Sequence, residues 1–196
     1  MSSEERAQRH KKVVTATGLL NRLVNQILTL RDATSTDEKQ LSQRIDIKEH
    51  IKESVEPLFD YADRGPDLVT EFDLATTKIY TDPDLLYQIV TNLTSNSIKY
   101  SNPGSKIRIQ VSSTDHEMTI IVQDHGNGIP PTELESIFDD YFRASNRGQV
   151  SGAGLGLTIV QAATTRLGGS CQVESKLGEG TTFIIKLPTQ QKLDLA

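Results

Sequence analysis

The chain has 196 residues, 36% hydrophobic and 24% charged, and a net charge of −5 from 21 basic and 26 acidic side chains. That composition fits one globular domain of ordinary size plus an appendage, and the acidic balance argues against general nucleic-acid binding, which wants a basic face. A single cysteine, Cys171, excludes an intramolecular disulfide framework and a cysteine-based zinc site. It falls in a strand-like run, where a buried, inert thiol is expected. No apolar run approaches the ~20 residues that cross a bilayer, and residues 1–12 lack the apolar stretch of a signal peptide. A cytoplasmic location is therefore expected.

Residues 1–12 are polar and read as a frayed start. From Val13 to Leu30, Val13, Ala16, Leu20, Leu23, Val24, Ile27 and Leu30 recur at threes and fours. They predict an amphipathic helix whose apolar stripe needs a second surface, on the next domain or another chain. Asp32–Gln43 is polar and reads as a linker. A short strand is expected over Ile45–Ile47 and a helix from Lys48 to about Ala62, with Pro57 predicting a kink or an early stop. A turn at Arg64–Asp67 leads to strands over Leu68–Phe72 and Lys78–Thr81.

Asp82 caps the next helix, with Pro83 at its first position. Over Leu85–Tyr100 this helix carries Leu85, Leu86, Ile89, Val90, Leu93 and Ser97 on one arc, the expected core face. Asn92, Asn96, Lys99 and Tyr100 line the edge of that arc. A buried amide without a partner costs about 1–3 kcal/mol, so a ligand, a metal or backbone should meet this edge.

After the turn residues Ser101–Ser105, strands over Lys106–Ser112 and Met118–Val122 form an antiparallel hairpin. DHGNGIPP, Asp124–Pro131, follows the second strand, and Thr132–Phe138 is predicted to be a short helix. Asp139–Ser151 is polar and contains Arg143 and Arg147. GAGLGL, Gly152–Leu157, opens a helix to about Leu167, which Gly168 and Gly169 end. Ser170–Ser175 and Thr181–Leu187 make a final hairpin. About five to seven strands and three helices, not strictly alternating, predict an α+β fold. Its architecture is a two-layer α/β sandwich: a mixed, mostly antiparallel sheet with helices on one face, plus an N-terminal helix. Residues 1–43 are expected to be helix and linker, 44–189 the domain, and 190–196 a loose tail.

Two stretches carry chemistry. The glycines of GAGLGL let backbone N–H groups approach an anion, and the helix N-terminus adds about half a positive charge. No strand precedes it directly and no Gly-Lys-Ser/Thr follows, so it is neither the Rossmann nor the Walker A pattern. A hinge with a helix cap reads equally well from this stretch alone. Asp124 is an acceptor at a fixed address that could take a hydrogen bond from an exocyclic amine; an Asx turn is the plainer reading.

The order of the pieces is more specific than any one of them. Asn-x-x-x-Asn-x-x-Lys-Tyr, then Asp-x-Gly-x-Gly-Ile-Pro, then a Phe-containing segment with an arginine-bearing loop, then Gly-x-Gly-x-Gly-Leu occur in sequence. Over about Ile45–Pro188 this resembles the catalytic, ATP-binding domain of sensor histidine kinases, whose fold is shared with gyrase, Hsp90 and MutL. The resemblance implies ATP and Mg²⁺ as ligands. It implies Asn96 as the metal ligand, Asn92 and Lys99 near the phosphates, and Tyr100 beside the nucleotide. Asp124 would bind the adenine amino group, with Gly126 and Gly128 admitting the base and Ile129 lining it. Ile137–Arg143 matches the phenylalanine box, bringing Tyr141 to the nucleotide and Arg143 to the reaction. Gly152, Gly154 and Gly156 match the phosphate-side glycines, with Leu155 and Leu157 beside them; either Thr181 or Thr182 matches the threonine near the base.

ATPases of the family carry a glutamate at position 92 to activate water. The amide of Asn92 cannot do so, which points to phosphoryl transfer onto an imidazole rather than hydrolysis. Asp140 departs from the family pattern, standing where an arginine is common, so either Arg143 or Arg147 serves the γ-phosphate or transfer is weakened. A phosphoacceptor box is absent: His10 lacks a neighbouring acid, and His50, His116 and His125 are expected at the surface. Val13–Leu30 resembles the second helix of a dimerisation hairpin. The implied partners are a histidine-bearing dimerisation domain and a response regulator receiver domain, with no nucleic acid, and the resemblance leaves room for a homodimeric parent held in the inner membrane. An ATPase of this fold, or an ATP-sensing module without phosphotransfer, are the alternative readings.

Overall fold

The structure, a computed structural model, describes residues 42–60, 66–139, 142, 144–145 and 154–189. The expectations for the Val13–Leu30 helix, the tail, Asp140, Tyr141, Arg143, Arg147 and Gly152 lie outside these residues. Strand β1 (Gln43–Asp46) pairs antiparallel with β3 (Lys78–Thr81), Ile45 opposite Ile79. The Asp46 carboxylate accepts the N–H groups of Lys48 (3.1 Å) and Glu49 (3.2 Å), capping helix α1 (Ile47–Asp60). Ile47, Ile51 and Val55 recur every fourth residue and are fully buried. The early stop predicted at Pro57 does not occur. Pro57 and Glu53, whose carbonyl loses its helical donor, are both exposed, so water can replace the missing bond.

Asp82 caps α2 (Pro83–Tyr100), accepting from the N–H groups of Asp84 (3.0 Å) and Leu85 (3.1 Å). Leu85, Leu86, Ile89, Val90, Leu93 and Ser97 are buried as the arc predicts, and so is Thr94. A five-stranded sheet runs in the order β2-β4-β5-β7-β6, from Asp67–Leu74, Lys106–Ser113, Glu117–Gln123, Gly180–Pro188 and Ser170–Lys176 respectively. All its pairs are antiparallel except β2 with β4. That parallel pair is joined by way of β3 and α2, the kind of crossover a parallel connection requires. Strand side chains alternate between faces. Ile107, Ile109, Val111, Met118, Ile120, Val122, Phe183, Ile185 and Leu187 form the buried face and share one core with α1, α2 and α3 (Gly156–Arg166). The α+β sandwich is therefore as expected.

Thr132–Phe138 is not a regular helix. A 3₁₀ turn covers Pro131–Glu133, and bonds from Glu133 N–H to Pro130 O (2.9 Å), Ser136 to Glu133 (3.1 Å) and Asp139 to Ser136 (3.0 Å) keep the tighter spacing. The Pro130-Pro131 pair removes two donors at its start. Ile137 is still buried, and Phe138 and Phe142 pack against the core. His50 also departs from expectation: it is half-buried on α1, its Nε2 has no partner among the described residues, and burial lowers its pKa. His116 and His125 are exposed as predicted. Cys171 is half-buried, its thiol pushed up to about 12 by burial. Among the described residues, no helix is long and apolar enough to cross a membrane.

Candidate functional site

The site is built along α2 and is closed by the segments that the sheet and α3 bring to it. Asn92 and Asn96 are both half-buried. The Asn92 amide donates to the Gln88 carbonyl at 2.8 Å, which leaves its Oδ1 as the outward group. Asn96 makes no side-chain hydrogen bond among the described residues. Both amides face the start of α3. A Cβ on Gly156 would stand 3.3 Å from Asn92 Oδ1, 3.7 Å from Asn96 Nδ2 and 3.8 Å from Asn96 Oδ1. Among the described residues no side chain caps α3, whose first-turn N–H groups lie beside the two amides. Gly154, at φ +76°, turns the chain into this position. Leu155 is buried and Leu157 packs against the core, while Thr158 Oγ1 donates to Phe138 O at 3.2 Å. Lys99 lies exposed in the last turn of α2, and Tyr100 is half-buried. Amide oxygens beside a helix N-terminus, with a lysine one turn along the same helix, suit a phosphate group with its counter-cation.

Asp124 follows β5 and is only 6% exposed. Its Oδ1 accepts the N–H groups of Gly126 (2.9 Å) and Thr181 (3.2 Å), while Oδ2 receives one long bond of 3.4 Å from Ser97 Oγ. Burial pushes its pKa up; the bonds from Gly126, Thr181 and Ser97 and the nearby His125 pull against that. One oxygen is thus held by backbone, and the other keeps capacity to accept a further donor. Asn96 and Ser97, neighbours on α2, therefore serve different ends of the site.

Thr181 is buried on the same face as Phe183, and its main chain bonds Asp124 in both directions; Thr182 points to the other face. The geometry brings Thr181, not Thr182, to Asp124. Ser175 Oγ accepts from Ile129 N–H at 2.8 Å and lies 2.9 Å from both Gly180 O and Thr181 Oγ1. The space beside Gly126 and Gly128 is taken by protein: a Cβ would stand 2.2 Å from Tyr100 O and 2.1 Å from Lys176 O. Glycine is needed there first so that the loop can lie against α2 and the β6–β7 turn. Ser97 and Ser175 were not singled out as site residues from the sequence. A serine on the buried arc of α2 needs a partner, which could have flagged Ser97; nothing local flags Ser175.

A buried carboxylate and a helix N-terminus met by side chains of one helix, on an α/β sandwich with a mixed sheet, suit a nucleotide. Residues 81–191 match the profile of the family described as histidine kinase-, DNA gyrase B-, and HSP90-like ATPase, and the chain belongs to that family. It is 35% identical over 175 residues to the sensor protein SrrB of Staphylococcus aureus strain MRSA252, covering 86% of this chain and 29% of that protein. The chain thus spans less than a third of the length of such relatives. Its structure resembles the mycobacterial sensor histidine kinase MprB (TM-score 0.65, 27% identity, 76% of this chain and 99% of that one). It also resembles the Acinetobacter baumannii histidine kinase AdeS (TM-score 0.70, 25% identity, 93% and 84%). The chain carries a catalytic ATP-binding domain of the histidine kinase type.

Proposed function

We propose that this chain is the catalytic part of a two-component sensor kinase. It would transfer the γ-phosphoryl group of Mg·ATP to a histidine on a dimerisation domain, from which the group passes to a receiver domain. The observation that carries this reading is Asn92. It lies beside the start of α3, its amino group is committed to Gln88, and the oxygen it leaves is an amide oxygen with no useful basicity. Water at this position has no side-chain base on residue 92, so an external imidazole is the fitting nucleophile.

The residues suit a magnesium nucleotide. Asn96 offers an amide oxygen that no described residue engages, and Mg²⁺ takes few protein ligands, completing its shell with phosphate oxygens and water. Bound Mg·ATP would supply the phosphoryl group and neutralise part of its charge. In the same reading Asp124 accepts the adenine amine, with Thr181 beside it, and Gly126, Gly128 and Ile129 form the base-side wall. Tyr100 flanks the nucleotide. Gly154, Gly156, Leu155 and Leu157 would shape the phosphate end, and the resemblance assigns Gly152, Lys99, Tyr141 and Arg143 to the same end. Positioning and electrostatic stabilisation are what phosphoryl transfer asks of an enzyme. The Val13–Leu30 segment would be the second helix of a homodimeric hairpin, with residues 44–189 as the catalytic domain working in the cytoplasm.

The test combines the chain, γ-labelled ATP and the histidine-bearing domain of the parent protein. Acid-labile, base-stable label on that domain is expected. Release of free phosphate without labelled protein would replace this reading with an ATPase, and tight ATP binding with neither product would replace it with a nucleotide sensor.

A further inference from the structure

Ser175 lies outside every motif that pointed to the site, yet it joins three parts of the base-side wall. Its hydroxyl meets Ile129 N–H (2.8 Å), Gly180 O (2.9 Å) and Thr181 Oγ1 (2.9 Å). A hydroxyl offers one donor and two acceptor positions. Ile129 N–H can only donate, so it takes one acceptor position. Gly180 O can only accept, so it takes the one proton. The remaining acceptor position faces Thr181 Oγ1, and that contact is made only if Thr181 donates. All three contacts are satisfied together in this arrangement and in no other. Reversing the Ser175–Thr181 bond would withdraw the proton from Gly180 O.

We propose that Ser175 is a specificity-determining positioning residue: it captures the Thr181 hydroxyl proton, so that Thr181 presents lone pairs only beside the Asp124 carboxylate. The floor of the base pocket would then consist of acceptors at the 6-position of the purine, Asp124 Oδ2 just beyond the end of β5 and Thr181 Oγ1 on the core-facing side of β7. A 6-amino group can donate one hydrogen to each of these acceptors, whereas a 6-oxo group in the same place sets an acceptor against both. The same hydroxyl fixes Ile129 N–H, so the loop from Gly126 to Ile129 is tied to β6 on the side opposite its contact with Tyr100. This inference rests on the nucleotide-binding reading of the site.

The test measures dissociation constants of Mg·ATP and Mg·inosine triphosphate by calorimetry. The unmodified chain should prefer ATP. In Ser175→Ala the Thr181 proton is released to rotate toward a 6-oxo group, and the ATP-to-inosine preference should fall about five- to tenfold, the scale of one neutral hydrogen bond. Ser175→Thr, which keeps the hydroxyl, should restore it. On a Thr181→Val background, Ser175→Ala should leave the preference unchanged, because the group it acts through is gone. Should Ser175→Ala fail to fold, Ser175→Cys takes its place, since a thiol is a weaker donor and acceptor. A folded Ala or Cys variant with the full preference would overturn the inference while leaving the nucleotide reading intact. An unmodified chain that does not distinguish the two nucleotides would overturn both.

Discussion

Asp124→Asn isolates the chemistry of the base end with little change of shape. The two backbone donors on Oδ1, Gly126 N–H at 2.9 Å and Thr181 N–H at 3.2 Å, will hold a carbonyl oxygen as readily as a carboxylate oxygen. They therefore fix the orientation of the new amide, and its NH₂ group must occupy the position of Oδ2, facing Ser97 Oγ. An acceptor becomes a donor at the point assigned to the adenine amine. Losing a hydrogen bond to a charged group costs roughly 1.5–3 kcal/mol, about 10- to 140-fold in affinity at 1.4 kcal/mol per decade. ATP binding should weaken by that amount, and the preference for ATP over inosine triphosphate should narrow or reverse. The free protein should respond in the opposite sense. Burial raises the folded pKa of Asp124 above its ordinary 3.8, so its contribution to stability is complete below 3.8 and is lost as pH rises through the raised value. The amide does not ionise, so Asp124→Asn should flatten this part of the stability–pH profile and unfold no more easily at pH 7. Calorimetric titration with both nucleotides and urea melts between pH 3 and 8 check the two halves. A folded variant that keeps the wild-type preference would refute the assignment of Asp124 to the base.

Asn96→Ala should leave the fold intact and make ATP affinity the same with Mg²⁺ as with a chelator; a retained magnesium dependence would place the metal elsewhere. Gly126→Ala puts a methyl group 2.2 Å from the Tyr100 carbonyl, so the loop must leave α2, at a cost of about 1–3 kcal/mol. A urea midpoint equal to wild type would contradict that. Asp82→Ala removes the acceptor of two N-terminal N–H groups of α2 and should cost about 1 kcal/mol, read from chemical denaturation without change in the nucleotide preference.

Local patterning made most of this architecture legible. The arc of α2 could be read because its apolar residues recur with the helical period, and the Asp82-Pro83 start because both residues act within one turn. Thr94 escaped because a hydroxyl counts as polar in any periodicity argument, although here it is buried without a partner among the described residues. Pro57 misled because its cost depends on whether the freed carbonyl can reach water, which is a tertiary fact. The 132–138 segment misled because two prolines at its start favour 3₁₀ spacing over a regular turn. Asn92, Asn96 and Asp124 stood out as polar groups at positions that demand a partner. The partners did not: Ser97 and Asp124 are 27 positions apart, and Ile129 and Ser175 are 46 apart. Distances of that kind are set by sheet order and helix crossing, and no local spacing records them.

The end of α2 is stitched to the Asp124 loop. Ser101 bridges Gly126, and Tyr100 O accepts from Asn127 N–H at 3.3 Å. Asn96 stands four residues earlier on the same helix, about 6 Å along its axis. One helix thus acts as a caliper, with Asn96 on one jaw and the Asp124 loop on the other. The spacing between Asn96 and the Asp124 loop is set by α2 for as long as the Ser101–Gly126 and Tyr100–Asn127 contacts hold. A displacement of α2 would carry Asn96 and the Asp124 loop together.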